Sequence, residues 1–266
     1  MDSIIQIELL HLAAGYGLIL LILLFVRIRR LGREWEIALA TFRMTIQLVA
    51  VGYILEYVFS HESPWITVGI FVLMEGFAVY TVFGRLKGRI YPALKPIVAV
   101  CMVVGTSLSL SVFLFVIVQL SPWFDPRYFI PIAGMIIGNS MNGVSIGIER
   151  LSSDMKSRLE QVEGALMLGA TPKAASAPLV REAFGAGIMV NINNMMGMGI
   201  VFLPGMMTGQ ILSGVSPVTA IEYQIAIMIG IAASVSITTF LATELGYRKF
   251  FNDRDQIVPE LYRSGS

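Results

Sequence analysis

Residues Glu149 to Glu182 read ERLSSDMKSRLEQVEGALMLGATPKAASAPLVRE, the one long polar interval in an otherwise apolar chain. Leu151, Met155, Leu159, Val162 and Leu166 recur at the spacing of one helical face, and Asp154, Lys156, Arg158, Glu160 and Glu163 supply charge around them. The pattern predicts an amphipathic helix that stops near Gly169. Thr171-Pro172 then reads as an N-cap followed by proline at the first helical position, so a second short helix is expected to start there. Two helices broken at a glycine, held between apolar segments, would present a surface to a partner.

Of the 266 residues, 56% are hydrophobic and only 14% are charged, which places the chain among all-α polytopic membrane proteins. A net charge of +1 argues against a nucleic-acid partner. The single cysteine, Cys101, lies in an apolar run, so neither a disulfide framework nor a Cys/His zinc spacing is available. No basic residues precede the first apolar run, whereas Arg27, Arg29, Arg30 and Arg33 follow it. A cleaved signal peptide has the opposite polarity, so a retained helix is expected. Residues 1–262 are expected to form a single transmembrane permease domain, with 263–266 an appended remnant.

A span needs roughly 20 mostly apolar residues to cross about 30 Å of hydrocarbon. Seven segments meet that criterion: 9–26, 36–58, 65–83, 97–120, 128–148, 184–204 and 219–242. Every lysine and arginine except Arg43 and Arg127 falls after the first, third or fifth span or in the C-terminal tail. Basic loops stay cytoplasmic, so the N-terminus is expected outside and the loop 149–182 inside. Trp35, Trp65 and Trp123 fall at expected membrane edges, as an aromatic belt requires. The outer loops are short, and no internal repeat signals an inverted-repeat transporter.

Two spans differ from the rest. The fifth carries Gly134, Gly138, Gly143 and Gly147 with Asn139, Ser140, Asn142 and Ser145, a pattern for close helix approach and polar bonding across it. The sixth carries Asn191, Asn193 and Asn194 and then a run of methionines, and it ends in the polar, glycine-rich segment Pro204 to Gln210. The asparagines read either as a polar pathway or as interhelical hydrogen bonds. The methionines, Met196 and Met198 among them, are soft donors for a metal or simply fill gaps in packing.

Glu75, in the middle of the third span, and Arg43, in the second, are intramembrane charges. A lone charge there costs about 2.5–3.5 kcal/mol on insertion scales. Glu75 reads as a pathway carboxylate that could bind a cation, or as the partner of Arg43 in a packing ion pair. Gly143-Val144-Ser145-Ile146-Gly147 matches a hydrolase nucleophile elbow in letters only. It falls in a membrane helix, and the only histidines, His11 and His61, lie at the other membrane face. The chain has no phosphate-binding loop of the G-x-x-x-x-G-K-[ST] type, so it does not hydrolyse ATP alone and is not expected to be an enzyme.

Glu163-Gly164-Ala165-Leu166-Met167-Leu168-Gly169 resembles the E-A-A-x-x-x-G core of the coupling loop of ABC-transporter permeases, with Gly164 in place of the usual alanine. The importer continuation I-x-L-P does not follow at 179–182, where only Leu179 agrees in being aliphatic. Together with residues 41–48 (TFRMTIQL), 138–143 (GNSMNG), 163–171 (EGALMLGAT) and 203–212 (LPGMMTGQIL), the chain resembles the FetB family of small ABC permeases. That family includes bacterial iron-export permeases and plant proteins needed for aluminium tolerance. The resemblance implies a metal-exporting permease of a bacterial inner membrane, paired with a separate ATPase that carries ATP and magnesium.

On that reading the chain works as a homodimer with two ATPase subunits, surrounded by lipid. Met155, Arg158, Leu159, Val162, Glu163, Ala165, Leu166 and Gly169 are the expected ATPase-coupling residues, with the apolar ones entering a groove on the partner. Arg43, Gln47, Glu75, Asn139, Asn142, Asn191 and Asn194 are the expected pathway residues, and Glu75, Met196 and Met198 the expected metal ligands. Two other functions fit the same residues. One is an ion-driven secondary transporter using Glu75, and the other is a membrane scaffold whose loop recruits a cytoplasmic protein.

Overall fold

The computed structural model describes residues 9–86 and 90–259. Among them the only regular structure is helical: α1 (Leu9–Ile28), α2 (Glu34–Ser60), α3 (Pro64–Arg85), α4 (Lys95–Val112), α5 (Pro126–Ser157), α6 (Leu159–Met167), α7 (Pro172–Gly197), α8 (Gly205–Leu212) and α9 (Pro217–Gly246). Short 3-10 turns precede α4 and follow α9, and α4 continues as a π-helical segment, Phe113–Val118. Proline opens α3, α5, α7 and α9 at the first or second position, where its missing N–H removes no intrahelical bond.

Six of these helices are long and apolar enough to cross a membrane: α1, α2, α3, α4 with its flanking turns, α5 and α9. The expected span at 184–204 is not among them. Asn191, Asn193 and Asn194 dilute its apolar character, and the helix stops at Gly197, where the chain turns through Gly199 in the left-handed region (φ 83°).

The chain divides into two compact units. The first holds α1 and α2, joined by a tight turn in which Arg30 and Gly32 both have positive φ, and tied by a 2.6 Å hydrogen bond between the Tyr16 and Thr45 hydroxyls. Nearly all of this hairpin is exposed: Val26 and Val58 are its only buried hydrophobics among the described side chains.

The second unit packs α3, α4, α5, α7 and α9 around one core. One close crossing joins α5, α7 and α9. A Cβ on Gly187 would stand 2.6 Å from Thr239 Cγ2 and 2.7 Å from the Gly143 carbonyl oxygen, and one on Gly143 would stand 2.7 Å from Val235 Cγ1. Glycine at these positions lets three backbones meet where any side chain would hold them apart. Gly143 and Gly147 thus behave as their four-residue spacing predicts, while a Cβ on Gly138 would meet nothing within 4 Å. The same logic recurs on α9, where Gly230 receives the Phe113 ring, and on α4, where a Cβ on Gly105 would collide with Thr238. Ser140 and Ser234 hydrogen-bond across the α5–α9 contact at 2.8 Å, and Thr106, Thr238 and Thr243 turn their hydroxyls back to carbonyls of their own helices. Ser145 Oγ likewise donates to the Met141 carbonyl at 2.7 Å inside α5, which leaves it no role as a nucleophile.

Candidate functional site

The polar interval of the sequence folds differently from a single amphipathic helix. α5 runs through Leu151 and Met155 to Ser157, so the first nine residues of the interval are the end of a 32-residue helix that begins at Pro126. Arg158, at φ −111° and ψ 27°, breaks the path, and α6 starts at Leu159. The expected stop is observed: α6 ends at Met167 and Gly169 turns the chain at φ 90°. Left-handed backbone there favours glycine. The expected restart is observed too, with Thr171 Oγ1 accepting from the Ala174 N–H at 3.3 Å, but the helix it opens is not short: α7 runs on for 26 residues to Gly197.

Charge closes this double bend. Arg158 forks onto both Glu182 oxygens at 2.8 and 2.9 Å, Arg150 reaches Glu182 at 3.3 Å, and Arg150 Nε also binds Asp154 at 2.7 Å. The Arg158 guanidinium holds the Glu182 carboxyl below its ordinary range. A bidentate pair fixes geometry as well as charge, so α5, the bend and α7 are clamped at one point. The clamp escaped the sequence reading because Arg158 and Glu182 are 24 positions apart and nothing in their spacing links them.

The coupling residues separate into two groups. Met155 and Val162 are fully buried in the unit's own core, and Leu159 and Leu166 pack against it, which corrects the expectation that this apolar face enters a groove on a partner. The face is already used: it holds the loop to the bundle. Met167 and Leu168, at 88% and 91% exposure, are the apolar side chains offered outward at the tip. Beside them lies a groove of about 780 Å³, walled on one side by Glu163, Leu166, Gly169 and Pro172 and on the other by Arg254 to Ile257. The second wall is a fixed turn in which Asn252 Oδ1 accepts from the N–H groups of Arg254 and Gln256 at 2.9 and 3.0 Å, while Ile257 is buried. Ala165 is half-buried behind the first wall.

The expected pathway residues do not form one site. Arg43 and Gln47 lie exposed on α2 in the hairpin unit. Within the bundle, Asn142 is exposed and accepts from Arg85 at 2.7 Å, Asn139 is half-buried with its amide turned back to the Met135 carbonyl at 2.8 Å, and Asn194 is half-buried. Glu75 and Asn191 are buried. Both Glu75 carboxylate oxygens lie inside the bundle without a hydrogen bond among the described residues. Thr106 on α4 is set against the carboxylate, but its hydroxyl proton goes to the Met102 carbonyl at 2.8 Å.

The expected metal set is not assembled. Glu75 sits beside Thr106, whose neighbour Gly105 packs on Thr238, whereas Met198 meets Gln224, four turns or about 21 Å away along α9. Met196 is 76% exposed and points away from the core. No cluster of three or more His, Cys, Asp or Glu side chains suited to a metal occurs among the described residues. Gln224, a buried amide in an apolar helix, was overlooked, although an uncharged polar residue at that depth is itself a signal.

Residues 9–251 match the family described as uncharacterised protein family UPF0014. The chain belongs to that family. It is 37% identical over 219 residues to a UPF0014 membrane protein of Synechocystis, covering 81% of this chain and 83% of the relative. It is 35% identical to the probable iron export permease protein FetB of Escherichia coli, with 93% of both chains covered, and 33% identical to the protein ALUMINUM SENSITIVE 3 of Arabidopsis thaliana, covering 95% of this chain and 90% of the relative. No solved structure matches. A helical membrane protein of a permease family is therefore established, in agreement with the resemblance drawn from the sequence.

Proposed function

We propose that this chain is the membrane subunit of an ATP-driven exporter of iron or another metal ion, working as a homodimer with separate ATPase subunits in a bacterial inner membrane. The observation that carries the reading is the junction of α5 with α6. A membrane-spanning helix continues unbroken into the loop whose sequence resembles an ABC coupling motif, and that loop ends in two exposed apolar side chains, Met167 and Leu168, beside a groove. Docking an ATPase on Met167, Leu168 and the rim residue Glu163 would cover that apolar tip, and closure of the ATPase pair would be felt directly by α5 and, through the Arg158–Glu182 clamp, by α7. Rigid-body transmission of this kind is an established way of switching access across a membrane.

The N-terminus outside, the loop inside and α7 as a seventh, partly polar crossing complete the proposal. The hairpin α1–α2, apolar and almost wholly exposed, supplies surface for lipid and for a second copy. Iron enters because a relative covering 93% of the chain is named a probable iron export permease. The test is co-reconstitution of the purified chain with a candidate ABC ATPase subunit. ATP hydrolysis that rises on assembly and metal transport that requires ATP are expected, and transport driven by a proton gradient without the ATPase would overturn the reading.

One observation favours a second reading, that of an ion-driven transporter. Glu75 is a buried membrane carboxylate with no hydrogen bond to either oxygen, as a coupling group would be between loads. The same reconstitution separates the two.

A further inference from the structure

Two amides at the contact between α7 and α9 are buried with mismatched partners. Asn191 Nδ2 donates to Met195 Sδ at 3.8 Å, and Gln224 Nε2 donates to Met198 Sδ at 3.9 Å. A thioether is a weak acceptor, so both strong donors are poorly spent. Asn191 Oδ1 and Gln224 Oε1 accept nothing among the described residues, although Asn191 is only 7% and Gln224 only 6% exposed. Folded proteins satisfy nearly all such atoms, and an exception calls for something to fill it.

The arrangement is ordered along the helix. Asn191 and Met195, at i and i+4, share one face of the last turns of α7, Met198 follows as the extended residue that ends the helix, and Gln224 meets Met198 from the second turn of α9. One turn earlier on the same face, Gly187 is pressed against Thr239 and Gly143, so the seam is sealed there. Toward the other end it opens, since Met195 is partly exposed. Each of the two stations, Asn191 with Met195 and Gln224 with Met198, pairs one amide oxygen with one thioether sulfur, about 10 Å apart along the axis. Neither holds a carboxylate, imidazole or thiolate.

We propose that the α7–α9 seam binds soft, weakly hydrated cations at these two stations. Thioethers select soft ions, and the amide oxygens complete the shell once the amides turn from sulfur to the ion. A shell of neutral donors holds such an ion without trapping it, which suits a staging site on a route. The proposal deepens the transport reading and rests on it for its purpose, because it gives the chemistry of the cargo. It places the ligands at Met198 and Gln224, apart from Glu75 and Met196.

The probe is Ag(I) as its nitrate, titrated calorimetrically into the full chain in nanodiscs. Cys101→Ser is carried throughout so that the one thiol does not compete. Two ions per chain are expected, and Met198→Leu or Gln224→Leu should remove one of them, weakening it at least tenfold, while Met196→Leu leaves both. Gln224→Glu, which keeps the side chain's shape and adds a charge, should tighten the same station. Equal binding by Met198→Leu, Gln224→Leu and the parent, the same loss in Met196→Leu, or no tightening in Gln224→Glu overturns the proposal. The measurement needs no ATPase, so failure of ATP-driven transport with binding intact would sink the exporter reading alone. Loss of the site with ATP-driven transport intact would sink only this one.

Discussion

The α1–α2 hairpin and the five-helix bundle both contain helices apolar enough to cross a membrane and pack in opposite ways. In the hairpin, Leu18, Leu20, Phe25, Phe42 and Leu48 stand more than half exposed, and two small contacts hold the pair. In the bundle, glycine, serine and threonine occupy the crossings and the large side chains fill the spaces around them. Lipid is as apolar as leucine, so hydrophobicity puts a helix in the membrane without joining it to another, and close packing of small residues does the joining. The hairpin therefore leaves nearly all of its surface open, while the bundle buries its crossings and still offers an apolar outer face at Val72, Leu73, Val100 and Val116.

The sharpest way to break this contrast is one substitution in each region. Gly187→Leu drives a side chain into Thr239 and the Gly143 carbonyl and should cost the bundle 3 kcal/mol or more, about the upper end of overpacking penalties. Gly52→Leu in α2 meets nothing within 4 Å and should leave thermal unfolding in detergent unchanged. Equal losses in the two would mean that the crossing is not what holds the bundle.

Next in size is the tip of the loop. Leu168→Asp should weaken association with the ATPase at least tenfold, read by co-purification, without moving the melting temperature of the bundle. Val162→Asp, in contrast, should unfold the loop itself, because that side chain lies in the core. Glu75→Met should raise the melting temperature, since it removes a buried carboxylate with no hydrogen bond among the described residues, an arrangement that costs about 1–3 kcal/mol or more. The same change should slow transport if the carboxylate lies on the route.

The smallest expected effect is at the clamp. Glu182→Gln should speed amide exchange across residues 158–170 with little change in global stability, as for exposed ion pairs generally. The carboxyl is held below its ordinary value of 4.5, so the clamp is complete above that pH and is lost as pH falls through the lowered value. The protection factor across the loop, which is the intrinsic exchange rate at each pH divided by the observed one, should thus stay constant from pH 8 to about pH 5 and fall only in stronger acid.

Much of this architecture was legible because it depends on local chemistry. The Gly169 stop and the Thr171-Pro172 restart are decided within a few residues, and the Gly143/Gly147 spacing announces a close contact without naming the partner. What stayed hidden depends on who meets whom. Met155 and Val162 look alike as partner-facing or core-facing residues, because a helical stripe does not say what it packs against. Glu75 and Met198 could be joined into a metal set only while it was unknown that they meet α9 through neighbours about 21 Å apart along its axis, near Thr238 and at Gln224. Of the asparagines in the two unusual helices only Asn191 is buried, and Gln224, alone in an oily helix, proved as buried as it.

The uninterrupted course of α5 also sets a mechanical scale. Its 32 residues extend about 48 Å, against the roughly 30 Å of a membrane core, so part of the rod projects beyond the lipid. A lever of that length magnifies small rotations: tilting by 10° about one end carries the other through about 8 Å. A modest rocking at one end would then become a full side chain's displacement at the other, less whatever is absorbed at Pro131, whose ring removes an intrahelical hydrogen bond near the start of the helix.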